Sequence, residues 1–158
     1  MSAMSRPLKL TATALMLAVL AMLAATPAMA ADWWQKDWSY RKQVTVNTGP
    51  KGANIPGSVG RAPVLVRLHS GNFQFADANE KGDDLRFVAA DNKTPLPFHV
   101  ESFDPLLGVG AVWVDVSEFP AASTKDIWLY YGNKKATPGG DSHASFDPDY
   151  TMVWHFDD

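Results

Sequence analysis

A few groups of residues in this sequence have the types and spacing for chemistry. His99 and Glu101 stand two apart in Leu96-Pro97-Phe98-His99-Val100-Glu101, and Asp115 follows in Ala111-Val112-Trp113-Val114-Asp115-Val116. An imidazole and two carboxylates on neighbouring strands could act as general acid and base, as in a glycan-acting hydrolase. The same spacing sets His99 and Glu101 opposite Leu96, Phe98 and Val100, and an outward polar face is the plainer reading. Asp83 and Asp84, near Asp77 and Glu80, offer oxygen ligands for a hard cation such as calcium. Asp141, Asp147, Asp149, Asp157 and Asp158 make a second acidic group of the same kind. Neither fits an EF-hand loop, and acids ahead of a strand suit a solvated turn. Trp33, Trp34 and Trp38 could stack on a sugar, or could tuck beneath the fold as core material.

Other chemistries lack their parts. His69, His99, His143 and His155 form no close ligand pair for zinc. There is no cysteine, no Gly-x-Ser-x-Gly elbow, and no glycine-rich phosphate loop opening a helix. Asn92-Lys93-Thr94 fits a glycosylation sequon, but at this position it reads as turn chemistry. The residues therefore point to no catalytic centre and no cofactor, with calcium as the one candidate ion.

The elements that would position these groups are strands. Leu85, Phe87 and Ala89 alternate, as do Leu96, Phe98 and Val100, then Val112, Val114 and Val116, then Ile127, Leu129 and Tyr131. A period of two marks strands with one buried face. Asp91-Asn92-Lys93 supplies a corner between the first two, because Asp and Asn tolerate left-handed backbone angles. Upstream, Tyr40 to Thr48 sets Val44 and Val46 inward, and Ala62 to His69 does the same with Val64, Val66 and Leu68. Between them, residues 49–60 hold four Gly and two Pro and form a loop. Phe73 and Phe75 pin the next connection to the core. The fold class that follows is all-β, an antiparallel sandwich of jelly-roll-like kind, with aromatic residues (6 Trp, 4 Tyr, 8 Phe) to fill it.

The start of the chain reads as an export signal. Arg6 and Lys9 precede an uncharged apolar run from Leu10 to Ala25, then Thr26-Pro27 and the small-x-small Ala28-Met29-Ala30. The run is shorter than the roughly 20 apolar residues of a spanning helix. Cleavage after Ala30 removes two cations and no acid, moving the formal charge from −3 to −5. A mildly acidic chain without Lys/Arg runs carries no footprint for nucleic acid or anionic lipid. The expected organisation is a signal helix over 1–30, a sandwich over 31–136, a Gly/Pro-rich linker over 137–150, and a further strand beginning at 151–158. That strand, Thr151-Met152-Val153-Trp154-His155-Phe156, lacks later partners here and suits the start of a second domain.

Five blocks in order carry a family resemblance. They are Trp38-Ser39-Tyr40-Arg41-Lys42, Pro63-Val64-Leu65-Val66-Arg67-Leu68, Asp84-Leu85-Arg86-Phe87-Val88, Thr94-Pro95-Leu96-Pro97 and Ile127-Trp128-Leu129-Tyr130-Tyr131-Gly132-Asn133. Together they resemble the domain-of-unknown-function family numbered two-three-four-one. The resemblance implies a laminin-G or concanavalin-A-like sandwich following at Val153-Trp154-His155-Phe156. The version with Val66 to Phe73 and Gly139-Gly140-Asp141 is similar to the front of exported proton-channel proteins of the MotA/TolQ/ExbB kind, whose membrane helices lie downstream. The family brings no catalytic residues. The expectation is a non-catalytic periplasmic recognition module for a glycan or an envelope protein, meeting a membrane only through downstream segments. The alternatives are a regulatory domain of such a channel and a glycan-acting hydrolase.

Overall fold

The computed structural model describes residues 33–144. The expected signal segment 1–30, the expected strand at 151–156 and the acids Asp147, Asp149, Asp157 and Asp158 lie outside them. Seven strands follow in order: β1 (Tyr40–Asn47), β2 (Ala62–His69), β3 (Arg86–Ala89), β4 (Pro95–Leu96), β5 (Phe98–Asp104), β6 (Val109–Val116) and β7 (Thr124–Tyr131). All pairings are antiparallel, in a four-stranded sheet ordered β1-β7-β3-β4 and a three-stranded sheet ordered β2-β6-β5. The chain is an antiparallel β-sandwich. Its only helical turn among the described residues is Phe75–Asp77.

The core lies between the sheets and is built from the alternating positions. Val112, Val114 and Val116 of β6 face Phe87, Ile127 and Leu129, all essentially without exposure. Val44, Val46 and Val64 pack against this cluster from the edges and stay half-buried. Phe73 and Phe75 are buried, edge to face with ring centroids 5.0 Å apart, and Phe103 joins both. Such ring pairs add about 0.5–1.5 kcal/mol beyond their area.

Two features depart from a plain hairpin. Leu96, Phe98 and Val100 do not share one strand: the chain changes sheets at Pro97, ending β4 in one and beginning β5 in the other. Proline has no N–H to give a ladder, and here its carbonyl instead accepts from the Asp115 N–H at 2.9 Å. Then β5 bulges between Val100 and Ser102, so that Glu101 is the extra residue. A bulge shifts the alternation by one, which returns Phe103 to the core opposite Gly110.

The second departure is on the far side of the four-stranded sheet, which is not a solvated face. Val88 and Tyr130 point away from the main core and are nonetheless fully buried, under Trp38 with Trp34, Trp128 and Ala136 around them. β7 is thus apolar on both faces, as its unbroken run Ile127-Trp128-Leu129-Tyr130-Tyr131 requires.

Candidate functional site

Trp38 is core material on that face, and Trp34 and Trp33 gather beside it as a cover. Trp34 lies 5.2 Å from Trp38 and 5.7 Å from Tyr130 between ring centroids, and Trp33 meets Tyr130 edge-on at 5.4 Å. The Trp33 indole N–H donates to the Trp38 carbonyl at 2.8 Å. The Arg41 guanidinium sits over both Trp33 and Trp128, at 5.0 and 4.4 Å from their centroids. The Tyr130 hydroxyl donates to Asn92 Oδ1 and accepts from the Trp34 N–H at 3.2 Å and from Arg41 Nη1 at 3.3 Å. Most of this aromatic surface is spent within the protein. Trp33, at 39% exposure, is the most exposed of the three.

Asn92 is held in the same cluster. It takes the left-handed φ of 59° that the corner needs and is buried, so the sequon asparagine is turned inward. Asp91 before it accepts from the Thr94 hydroxyl at 2.6 Å and from the N–H groups of Lys93 and Thr94.

Asp83 and Asp84 have different environments. Asp84 is wholly buried, and its two oxygens accept from the Asn79 and Gly132 N–H groups at 2.8 and 2.7 Å. Its carbonyl accepts from the Trp38 indole N–H at 2.7 Å. One carboxylate thereby ties the helical-turn loop, the end of β7 and the tryptophan cover together. The Asp83 carbonyl accepts from Arg86, whose guanidinium also reaches the Thr137 carbonyl and lies over Trp38. Burial lowers the Arg86 pKa from its ordinary value, against the opposing pull of Asp84 and Asp83. Among the described residues no three His, Asp or Glu side chains converge as a metal site would need. Asp141, of the second acidic group, accepts from the His143 and Ala144 N–H groups and closes a turn.

His99, Glu101 and Asp115 share the outer face of the three-stranded sheet, spread along it. His99 stands opposite Trp113, and Glu101 Oε2 accepts from the Trp113 indole N–H. Asp115, opposite Pro63, is buried and paired with Arg61 Nε at 2.6 Å. Arg61 also donates to the Ala144 carbonyl at 2.8 Å, and the Asp141 N–H donates to the Phe98 carbonyl at 2.8 Å. The segment 137–144, read from sequence as linker, is therefore bound to the sandwich along β5. Arg61 carried no signal in the sequence, since a lone arginine before a strand has no spacing to betray its partner.

The β5–β6 hairpin tip is Pro105 to Gly108. Asp104 Oδ1 accepts from the N–H groups of Leu106 and Leu107, both at 2.9 Å. Gly108 takes a φ of 65°, and its carbonyl accepts from the Ser70 N–H at 3.1 Å. This built turn holds Leu106 and Leu107 in water at 99% and 75% exposure. Two leucines inside turn chemistry were the available signal.

An all-β, two-sheet domain with an aromatic-covered outer face and an apolar hairpin tip is the class that fold and site define. Residues 81–158 match the model of a family described as a domain of unknown function (DUF2341). The match covers three of the five blocks that carry the resemblance; those at Trp38 and Pro63 precede it. No curated protein and no solved structure matches the chain.

Proposed function

We propose that this domain is a non-catalytic recognition module of the cell envelope that binds another protein through the β5–β6 tip. The observation that carries this is the pair Leu106 and Leu107, held out by Asp104 and pinned at Gly108. Burying a leucine contributes roughly 1.5–3 kcal/mol, which folding leaves unused at both positions. A hydrogen-bonded turn lowers the ordering cost of presenting them, which is how an apolar anchor serves binding. The acid and base candidates support the same reading, because Glu101 is bonded to Trp113 and Asp115 to Arg61. If residues 1–30 act as the export signal their pattern suggests, the partner is met outside the cytoplasm, and in the channel setting that the resemblance implies it would be another envelope protein.

The test compares the wild type with a Leu106→Ser, Leu107→Ser variant in capture of an envelope extract. The expected result is a partner lost in the variant while the thermal midpoint stays the same. Equal capture by both removes the tip from the reading. A glycan ligand is the second reading, and the exposure of Trp33 beside Arg41 favours it. A glycan array signal abolished by Trp33→Ala and untouched by the leucine variant would establish it in place of the first.

A further inference from the structure

A sandwich of two sheets has four edges, and this one protects them unequally. β4 is two residues long, begins with Pro95 and is followed by Pro97. β5 carries the bulge at Glu101 and takes the Asp141 N–H on its Phe98 carbonyl. These are the devices by which natural sheets prevent unwanted pairing. β1 has none of them: eight residues, no proline, no bulge, and among the described residues it pairs on one side only, with β7. β2, the edge of the other sheet, is equally long, and its one proline, Pro63, is at its start. The two run beside one groove of about 400 Å³, lined by Lys42 to Asn47 and Val64 to Leu68. Its apolar lining is Val44, Val46, Val64, Leu65, Val66 and Leu68, of which Val44, Val46 and Val64 are half-buried and Leu65 is exposed.

Its charge is one-sided. The lining includes Lys42 and Arg67 and no acid. The ion pair between Arg61 and Asp115 involves neither. Lys42 shares the side of β1 that carries Val44 and Val46, so an uncharged strand arriving there would bury an unpaired ammonium. A strand bringing a carboxylate would not.

We propose that the free edge of β1 is a strand-addition site for an extended protein segment with apolar side chains at alternate positions and a carboxylate facing Lys42 and Arg67. Main-chain hydrogen bonds to β1 give affinity, the valine-lined groove receives alternate side chains, and the two cations select the acidic end. Asn72 lines the groove and donates to the Arg67 carbonyl at 3.0 Å, and Ser70 binds Gly108 of the hairpin tip. The cationic end of the groove and the leucine tip are thus neighbours. The site extends the recognition reading to a second surface and does not depend on the leucines.

The experiment is hydrogen exchange on the full chain with a capped six-residue peptide of alternating Val and Thr ending in Asp. Protection of β1 amides is expected, with affinity falling about tenfold or more when Lys42→Glu or Arg67→Glu is introduced. A lysine-ended peptide should prefer the Lys42→Glu variant. No protection of β1 at millimolar peptide, protection of β4 or β5 instead, or equal binding of a proline-interrupted peptide overturns the proposal. Protection of β1 that rises with protein concentration alone would assign the edge to a second copy and overturn it too. The Leu106→Ser, Leu107→Ser variant should bind the peptide like the wild type, so the two surfaces fail separately.

Discussion

Asp84 shows how a residue with the chemistry of a ligand is used as a structural tie. Both oxygens accept backbone N–H groups in a site without solvent, so removing them strands two donors. Asp84→Ala should cost about 2–4 kcal/mol in urea denaturation. Asp84→Asn should cost at least about 2 kcal/mol, because the amide keeps one acceptor and turns an NH₂ toward the other N–H. Values within about 0.5 kcal/mol of wild type would mean the oxygens are spare and would return them to the cation reading. Asp91 gives a test by pH. Its bond from the Thr94 hydroxyl, then those from the Thr94 and Lys93 N–H groups, hold the carboxyl down to about 2 from an ordinary 3.8. A depressed carboxylate contributes stability above its unfolded value that is lost as pH falls through the folded one. The corner should therefore weaken between pH 3.8 and about 2. An NMR titration of Asp91 should find its midpoint near 2, and Thr94→Val should move that midpoint toward 3.8.

At the scale of elements, β7 carries the fold because it is packed on both faces. Trp38 closes its outer side, buried on Val88 and Tyr130 and bonded to the Asp84 carbonyl. Trp38→Ala should cost about 3–5 kcal/mol, comparable to losing a core aromatic. A loss below about 1 kcal/mol by chemical denaturation would make residues 33–39 an appendage. The strands themselves were legible: Val44 and Val46, then Val64, Val66 and Leu68, then Val112, Val114 and Val116, then Ile127 and Leu129 all face the core their alternation assigns. What alternation cannot give is the second face of β7, since Trp128 and Tyr130 interrupt nothing in the pattern. The sheet change at Pro97 was written in the proline, yet Leu96, Phe98 and Val100 keep a period of two across it. The candidate site was legible only in part. Trp33, Trp34 and Trp38 do gather, around a tyrosine contributed by a strand some ninety residues later. The partners of Glu101 and Asp115 depend on the bulge and on pairing with β2, and neither follows from spacing.

For the whole molecule, the question is whether the two hydrophobic clusters melt together. The inner one, between the sheets, holds Ile127 and Leu129; the outer one, beneath the tryptophans, holds Tyr130. Because Leu129 and Tyr130 are consecutive residues of one strand, β7 cannot leave one cluster and remain in the other. Asp84 adds a second link, joining the cover at Trp38 to the end of β7 at Gly132. Small domains coupled in this way unfold in one step. Tryptophan fluorescence reports on both sides of the protein, with Trp34, Trp38 and Trp128 in the outer cluster and Trp113 on the opposite sheet. Far-ultraviolet circular dichroism reports on the strands. The two urea transitions should coincide for the wild type and for Trp113→Phe, which leaves the outer cluster to dominate the emission. An earlier fluorescence transition in Trp113→Phe, with the strand signal intact, would show the tryptophan cover opening alone and would make the outer face a surface accessible to ligands.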